Sequence, residues 1–386
     1  MRGVAVLGST GSIGESALAV LRRHPERFRV VALTAGSNAD RLKQQVEEFR
    51  PEFVGLVNGA KTHRLIDEGL PASVRLCAYS SSPSCLIEAA THPGVDVVIN
   101  AVVGFAGLDA TLAALRAGKR VALANKESLV TAGSLVLEAA RAGGGEIIPV
   151  DSEHSAVLQC LAGARSAPSR LVLTASGGPF RTWEPDRIAS ATVTEALQHP
   201  TWRMGSKISV DSATLVNKAL EIIEAHFLFG LSYDRLDVVV HPQSIVHAFV
   251  EFEDGSMLAQ LGIPSMELPI LYALTYPERV GDAGTRRFDP VAAGPLTFEP
   301  VRLEVFRGFA LGVEMGRKGG SAPTVFNAAN EAAVAAFLDN RIPFGRIGEL
   351  IERVATDHDV TPVDTVEAVR EADRWARARV RELLGE

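Results

Sequence analysis

Six short apolar runs punctuate the first 150 residues, with helix-length segments between them: Val4–Leu7, Phe28–Thr34, Phe53–Val57, Val95–Asn100, Arg120–Ala124 and Glu146–Val150. They are apolar throughout instead of alternating. Strands of that kind are buried on both faces, and strands buried on both faces and joined by helices make a parallel, doubly wound α/β sheet. Such a sheet gathers ligands at the carboxyl ends of its strands. The first run leads directly into Gly8-Ser9-Thr10-Gly11-Ser12-Ile13-Gly14, a G-x-x-G-x-x-G string. Glycines there let the backbone approach a pyrophosphate, whose charge then rests on the N-terminus of the following helix. An ordinary tight strand-to-helix turn would share the pattern; the strand before it and the further strand–helix units behind it favour a Rossmann-like nucleotide loop.

The second run ends at Thr34 and is followed by Ala35-Gly36-Ser37-Asn38. An acidic residue here would hold the ribose 2′-hydroxyl of NAD and repel the 2′-phosphate of NADP. None is present, which favours NADP. No basic residue stands at Ser37 to complete the argument; Arg41 and Lys43 lie close by, either as phosphate contacts or as solvated helix charges.

After residue 150 the pattern changes. Arg170–Ser176 reads as a strand, 179–206 as a mobile connection with a lid-like loop at about 193–206, and Ile208–Phe229 as a strand end running into a long helix. Leu236–Val240, Ile245–Phe252 and Met257–Leu261 read as strands, with Asp254-Gly255 as a hairpin turn between the last two. This is an α+β region with antiparallel strands. Residues 275–302 are rich in Pro and Gly; helical periodicity then governs Leu303–Arg317, Thr324–Asp339, Phe344–Ala355 and Val363–Leu384. The expected organisation is a dinucleotide-binding domain over 1–150, an α+β domain over 151–285, a linker over 286–302 and a helical bundle over 303–386.

Charge and composition exclude other classes. The 386 residues carry 39 basic and 46 acidic side chains, a formal charge of −7, which argues against a general nucleic-acid or anionic-membrane binder. No apolar run reaches the roughly 18 residues that span a bilayer. The N-terminus has no leader pattern, and three cysteines (Cys77, Cys85 and Cys160) are too few for a disulfide framework, as suits a reducing, cytoplasmic setting with inert thiols.

Several polar strings lie where ligands would be expected. Val150-Asp151-Ser152-Glu153-His154 follows a strand; its two carboxylates suit Mg²⁺ or Mn²⁺ when both face one ligand from a loop, or a helix N-cap when they do not. Asn217, Lys218 and Glu221 share one side of a helix, either as a site with Ser212 near the helix start or as a solvated polar face. Ser176-Gly177-Gly178-Pro179-Phe180 is a strand-ending turn and a possible phosphate contact. Asn125-Lys126-Glu127 ends a parallel strand where a nicotinamide would lie, and His199-Pro200-Thr201-Trp202-Arg203-Met204-Gly205 sets large side chains on a glycine-ended loop, as a lid would. Against the site readings stand a strand-ending turn, a helix-start cluster and a Trp packed on the domain face.

Taken in order, these strings resemble the 1-deoxy-D-xylulose 5-phosphate reductoisomerase family over essentially the whole chain: 8–14, 125–127, 150–154, 176–180, 199–205, V-D-S-A-T-L-V-N-K-A-L-E at 210–221 and H-P-Q-S-I-V-H at 241–247. The resemblance implies a central catalytic domain and a homodimer of V-shaped three-domain subunits, inhibited by phosphonohydroxamates such as fosmidomycin. It implies NADPH bound by Thr10, Gly11, Ser12, Ile13, Gly36, Asn38, Asn125, Glu127 and Gly205. A divalent metal (Mg, Mn or Co) would be held by Asp151, Glu153 and Glu221. The sugar phosphate would be bound by Ser152, Glu153, Ser176, His199, Ser212, Asn217, Lys218 and Glu221, with Lys126 beside the reacting carbons and Trp202 and Met204 in the closing loop. The implied reaction rearranges the carbon skeleton and reduces the resulting aldehyde to 2-C-methyl-D-erythritol 4-phosphate. The chain departs from the family pattern at Ala175, commonly Gly, and at Ser37, where many members carry Lys or Arg. Two other readings share parts of the pattern: a metal-free NADP-dependent sugar or semialdehyde dehydrogenase, and a metal-dependent sugar-phosphate isomerase or lyase.

Overall fold

The computed structural model describes residues 1–58, 75–78 and 84–386, and of 75–78 the backbone alone. These residues divide into two compact units. The first comprises Met1–Ser128, Val136–Ser155 and Ser265–Arg286, the second Leu129–Leu135, Ala156–Pro264 and Arg287–Glu386.

The first unit is built on seven strands: β1 (Arg2–Leu7), β2 (Phe28–Ala35), β3 (Phe53–Leu56), β4 (Arg75–Ala78), β5 (Val97–Asn100), β6 (Arg120–Leu123) and β7 (Glu146–Pro149). All pair in parallel, in the order β4-β3-β2-β1-β5-β6-β7. Six are the expected runs. The seventh, β4, is not among the expected runs. Val4 to Leu7, Leu33 and Ile99 are wholly buried; burial of each large side chain is worth about 1.5–3 kcal/mol before entropy is counted, which is why these strands are apolar on both faces. Strand order reverses at β1, where Leu7 pairs with Thr34 on one side and Asn100 on the other. The glycine string therefore opens at the switch point of the sheet. Residues 265–286 join this unit through Arg23, which donates to Glu267 (2.6 Å) and to both oxygens of Asp282 (2.7 and 2.6 Å).

The second unit holds a four-stranded sheet of β8 (Arg170–Ala175), β9 (Leu236–Val240), β10 (Val246–Glu251) and β11 (Met257–Leu261), in the order β11-β10-β8-β9. The hairpin stands as expected, with Gly255 at φ +81°. The sheet is nonetheless mixed, because β8 and β9 run parallel. A helical stretch separates them, long enough to return the chain to the same end of the sheet. One outer edge is closed: Val240 and Glu299 exchange backbone hydrogen bonds at 2.8 Å. At the other edge β11 pairs only with β10 among the described residues.

Two further expectations are corrected here. Ile208–Phe229 contains no strand; it forms helices Ser206–Ala213 and Val216–Phe229, broken at Leu215 in the left-handed region (φ 58°). Val210 and Ala213 are wholly buried in the helical core, so packing overrides the strand-like I-S-V string. The stretch 179–206 is less irregular than its composition suggests. It includes helices Pro185–Ala189 and Val193–Ala196, the latter opened by a Thr192/Glu195 capping box. The bundle helices are Arg307–Lys318, Ala322–Leu338, Gly345–Thr356 and Val366–Leu384, within a few residues of expectation. Cys85 and Cys160 are free thiols; the Cys77 side chain lies outside the described residues. Among the described residues no helix is long and apolar enough to cross a membrane.

Candidate active site

In the first unit the glycine loop is fixed from behind and open in front. Gly8 takes φ 79°, and the N–H groups of Gly8 and Ser9 both donate to the Thr34 carbonyl, at 3.0 and 2.8 Å. A Cβ on Gly14 would lie 2.4 Å from the Gly8 oxygen, so strand, loop and helix can approach this closely only with glycine there. Buried Ser9 donates to Gln45 (2.7 Å), and Gln45 donates back to the Ser9 carbonyl (2.9 Å). Thr10, Gly11, Ser12 and Ile13 keep accessible surface, as do Gly36 and Asn38. Asn38 caps helix Ala39–Phe49, its side-chain oxygen accepting from Arg41 N–H at 3.1 Å.

Asn125 is buried, and its amide donates to the carbonyls of Val102 (2.7 Å) and Gly104 (2.8 Å). It thereby fixes the loop beyond β5. Lys126 and Glu127 follow in the first turn of helix Lys126–Gly143 and are also buried. The Lys126 ammonium lies 2.6 Å from Asp151 Oδ2, the two side chains being 5% and 15% exposed. Contrary to the expectation from sequence, Asp151 and Glu153 do not share a loop. The Asp151 carbonyl accepts from Ser155 N–H at 2.8 Å, and helix Ser152–Leu161 begins at the next residue. Asp151 is thus the helix cap and Glu153 stands in the first turn, where Ser152 Oγ donates to it at 2.6 Å. The position of Asp151 before the helix is the one the cap reading expected.

In the second unit, β8 ends in the Ser176-Gly177-Gly178 turn, with both glycines at positive φ (83° and 67°). A Cβ on Gly178 would meet the Ser212 carbonyl at 2.6 Å, so the turn lies directly against Ser212. That serine sits in the last turn of helix Ser206–Ala213, not near a helix start as expected, because the chain breaks at Leu215. Beyond the break, Glu221 accepts from Asn217 and from Lys218, and Lys218 and Glu221 are both buried. The shared helix face is therefore a charged pair inside the protein, not a solvated surface.

His199 Nε2 is 2.8 Å from Ser176 Oγ, while its Nδ1 accepts from the N–H groups of Thr201 (3.2 Å) and Trp202 (2.9 Å). Two backbone donors on Nδ1 leave the proton on Nε2, so His199 is neutral and donates to Ser176. Burial pushes its pKa down to about 4. Ser176 also accepts from Gly178 N–H (3.2 Å), which leaves its own hydroxyl proton for a ligand oxygen. Trp202 and Met204 are half-buried and Gly205 is exposed. The Trp202 ring lies 6.2 Å from that of His247, to which sequence reasoning gave no role. It also missed Asp211, which is buried, pairs with Lys207 (2.8 Å) and accepts from Asn330 Nδ2 (2.9 Å). The i,i+4 spacing of Lys207 and Asp211 was a usable signal; Asn330 comes from a bundle helix and gave none.

Comparison with known proteins converges on one family. The family model for 1-deoxy-D-xylulose 5-phosphate reductoisomerase matches residues 4–133, and two models for C-terminal domains of that enzyme match 147–229 and 261–379. The reductoisomerase of Geotalea uraniireducens is 48% identical, covering 100% of this chain and 99% of its own length. That of Chloroherpeton thalassium is 49% identical over 98% of this chain and 97% of its own. A solved DOX-P reductoisomerase in complex with NADPH, fosmidomycin and magnesium superposes with a TM-score of 0.93 at 40% identity, covering 100% of this chain and 98% of that one. The Zymomonas mobilis enzyme in complex with NADPH gives 0.90 at 41% identity, covering 99% of each chain.

Proposed function

This chain belongs to the 1-deoxy-D-xylulose 5-phosphate reductoisomerase family, and from that premise we propose which of its residues do the work. It converts 1-deoxy-D-xylulose 5-phosphate to 2-C-methyl-D-erythritol 4-phosphate, in isoprenoid precursor synthesis, using NADPH and a divalent metal. When bound, the metal supplies Lewis acidity toward the substrate's ketone and hydroxyl oxygens, and NADPH supplies the hydride.

Asp151, Glu153 and Glu221 would hold the metal. All three offer carboxylate oxygens, the donors that hard divalent cations prefer. The observation that carries this assignment is that Asp151 and Glu221 each bear a lysine ammonium, from Lys126 and Lys218. In each pair the ammonium stands at a carboxylate oxygen, the place a divalent cation would take. Lys126 would protonate or polarise an oxygen on the reacting skeleton, and Lys218 would bind phosphate. Ser176 donates its free hydroxyl proton to the phosphate, held in that orientation by neutral His199, and Ser212 and Asn217 complete the cradle. Ser152 orients Glu153. Thr10 to Ile13, Gly36, Asn38, Asn125, Glu127 and Gly205 hold NADPH, with Asn125 acting through the loop it fixes. Trp202 and Met204 close over the substrate and exclude water from the reactive enolate and aldehyde.

The protein works as a cytoplasmic homodimer. The strand β11, M-L-A-Q-L, which pairs only with β10 among the described residues, exposes Met257 (46%), Leu258 (47%) and Leu261 (38%). A twofold axis sets like residues opposite each other, which suits a strand with no charge to repel its copy. An assay of NADPH oxidation with 1-deoxy-D-xylulose 5-phosphate and Mn²⁺, repeated after chelation, tests the reading. Turnover that survives chelation would favour a metal-free dehydrogenase, and substrate conversion without NADPH oxidation an isomerase or lyase.

A further inference from the structure

The first unit contains a cation whose placement the sequence left open. β1 and β2 end side by side, with Leu7 paired to Thr34, so the glycine loop and the segment Ala35–Asn38 border the same crevice. That segment carries neither an acid nor a base. Arg41 stands three residues past Asn38, in the first turn of helix Ala39–Phe49, and it is not a loose surface charge. Its Nε and Nη2 donate to the two oxygens of Glu15 at 2.6 and 2.7 Å, and its Nη1 donates to Gln44 at 2.7 Å. Glu15 lies in the first turn of the helix that follows the glycine loop. It also accepts from Gln45 (2.9 Å), the residue that locks Ser9. The guanidinium is thus tethered across the two cofactor-facing segments by the same network that fixes the loop.

We propose that Arg41 reads the 2′-phosphate of NADPH, making it a specificity-determining residue that supplies from the helix the contact position 37 does not; this rests on the assignment of residues 10–13, 36 and 38 to the cofactor. The chemistry suits the task. Guanidinium has five N–H donors, and three are engaged, which leaves one on each Nη. Paired N–H groups of this kind bind phosphate oxygens bidentately. Arg41 keeps Glu15 below the usual carboxylate range and balances its charge, so Glu15 orients the guanidinium without repelling a phosphate. The Arg41 side chain is 39% exposed, accessible to a ligand from solvent.

The test is steady-state kinetics of the full-length enzyme with each cofactor. Arg41→Met should raise KM for NADPH about tenfold or more while moving KM for NADH by less than about twofold. Adding Ser37→Arg to that variant should restore much of the NADPH affinity. A loss common to both cofactors, or no change in either, would overturn the proposal. Gly11→Ala separates this from the underlying assignment: its Cβ would meet only the Gly8 oxygen, at 3.4 Å, so the chain folds while the methyl obstructs a pyrophosphate. It should weaken NADPH and NADH alike. If it leaves both unchanged, the loop assignment falls and the Arg41 proposal with it. If it weakens both while Arg41→Met shows no NADPH-specific loss, the proposal alone falls.

Discussion

The two units build their proposed binding groups from different materials. In the first, the cofactor loop is shaped by what is missing: side chains at Gly8 and Gly14, and a charge between Thr34 and Asn38. Its polar groups, Ser9, Gln45 and Asn125, bind other parts of the same unit and hold the backbone for a ligand to meet. In the second, the groups offered are side chains: a hydroxyl with its proton free, a neutral imidazole, and a lysine and a glutamate buried together. The glycine loop of the first unit should therefore be sensitive to added atoms. The second should tolerate changes of shape better than changes of charge.

Glu221→Gln should give the largest effect. It removes the charge of a proposed metal ligand and breaks the buried pair with Lys218. Turnover should fall at least about 100-fold, Mn²⁺ affinity should drop in calorimetry, and the melting temperature should fall with the loss of a buried pair. NADPH binding should persist, since the cofactor loop lies in the other unit. Normal Mn²⁺ affinity and turnover would remove Glu221 from the site. Gly14→Ala is the converse case, one methyl with no charge. Backbone atoms 2.4–2.6 Å from its Cβ must shift, at a cost of about 1–3 kcal/mol, and titration should show both NADPH and NADH binding weakened tenfold or more. Unaltered cofactor binding would show that close packing is not what shapes the loop.

NADPH should be preferred over NADH in the wild type, and Ser37→Arg should widen the preference severalfold by adding a second bidentate phosphate donor. Equal efficiency with NADH would contradict the reading of the loop after β2. The smallest effect concerns His199. Its folded pKa, about 4, lies below the ordinary value of about 6.5, so the unfolded chain takes up the proton first. The stability from its neutral form is complete above about pH 6.5 and lost as pH falls toward 4. Melting curves between pH 7 and 4.5 should fall more steeply for the wild type than for His199→Gln. Parallel curves would mean that the imidazole is not buried neutral.

Much of this was legible because it is local. The glycine spacing, the D-G hairpin and the i,i+4 pair at Asn217 and Glu221 each concern residues within a turn of one another. What escaped was decided by distant partners. Ser212 was set at the wrong end of a helix because the break at Leu215 is a left-handed leucine, buried in the helical core, and no glycine marks it. Asp211 escaped notice because its partner Asn330 lies 119 positions away. The parallel pairing of β8 with β9 depends on the length of the crossover between them and not on either strand's composition.

The uneven closing of the small sheet bears on measurement. Glu299 finishes one edge within the chain, and β11 is the edge that the proposed dimer would finish. Folding and assembly then share one equilibrium, and stability becomes a function of concentration. The unfolding midpoint should rise with protein concentration. A Leu258→Lys variant, with like charges near the axis, should lose that dependence and gain a tendency to self-associate non-specifically only if Met257 and Leu261 still find partners. Activity assays at high dilution would then sample a different species from the one characterised at milligram concentrations.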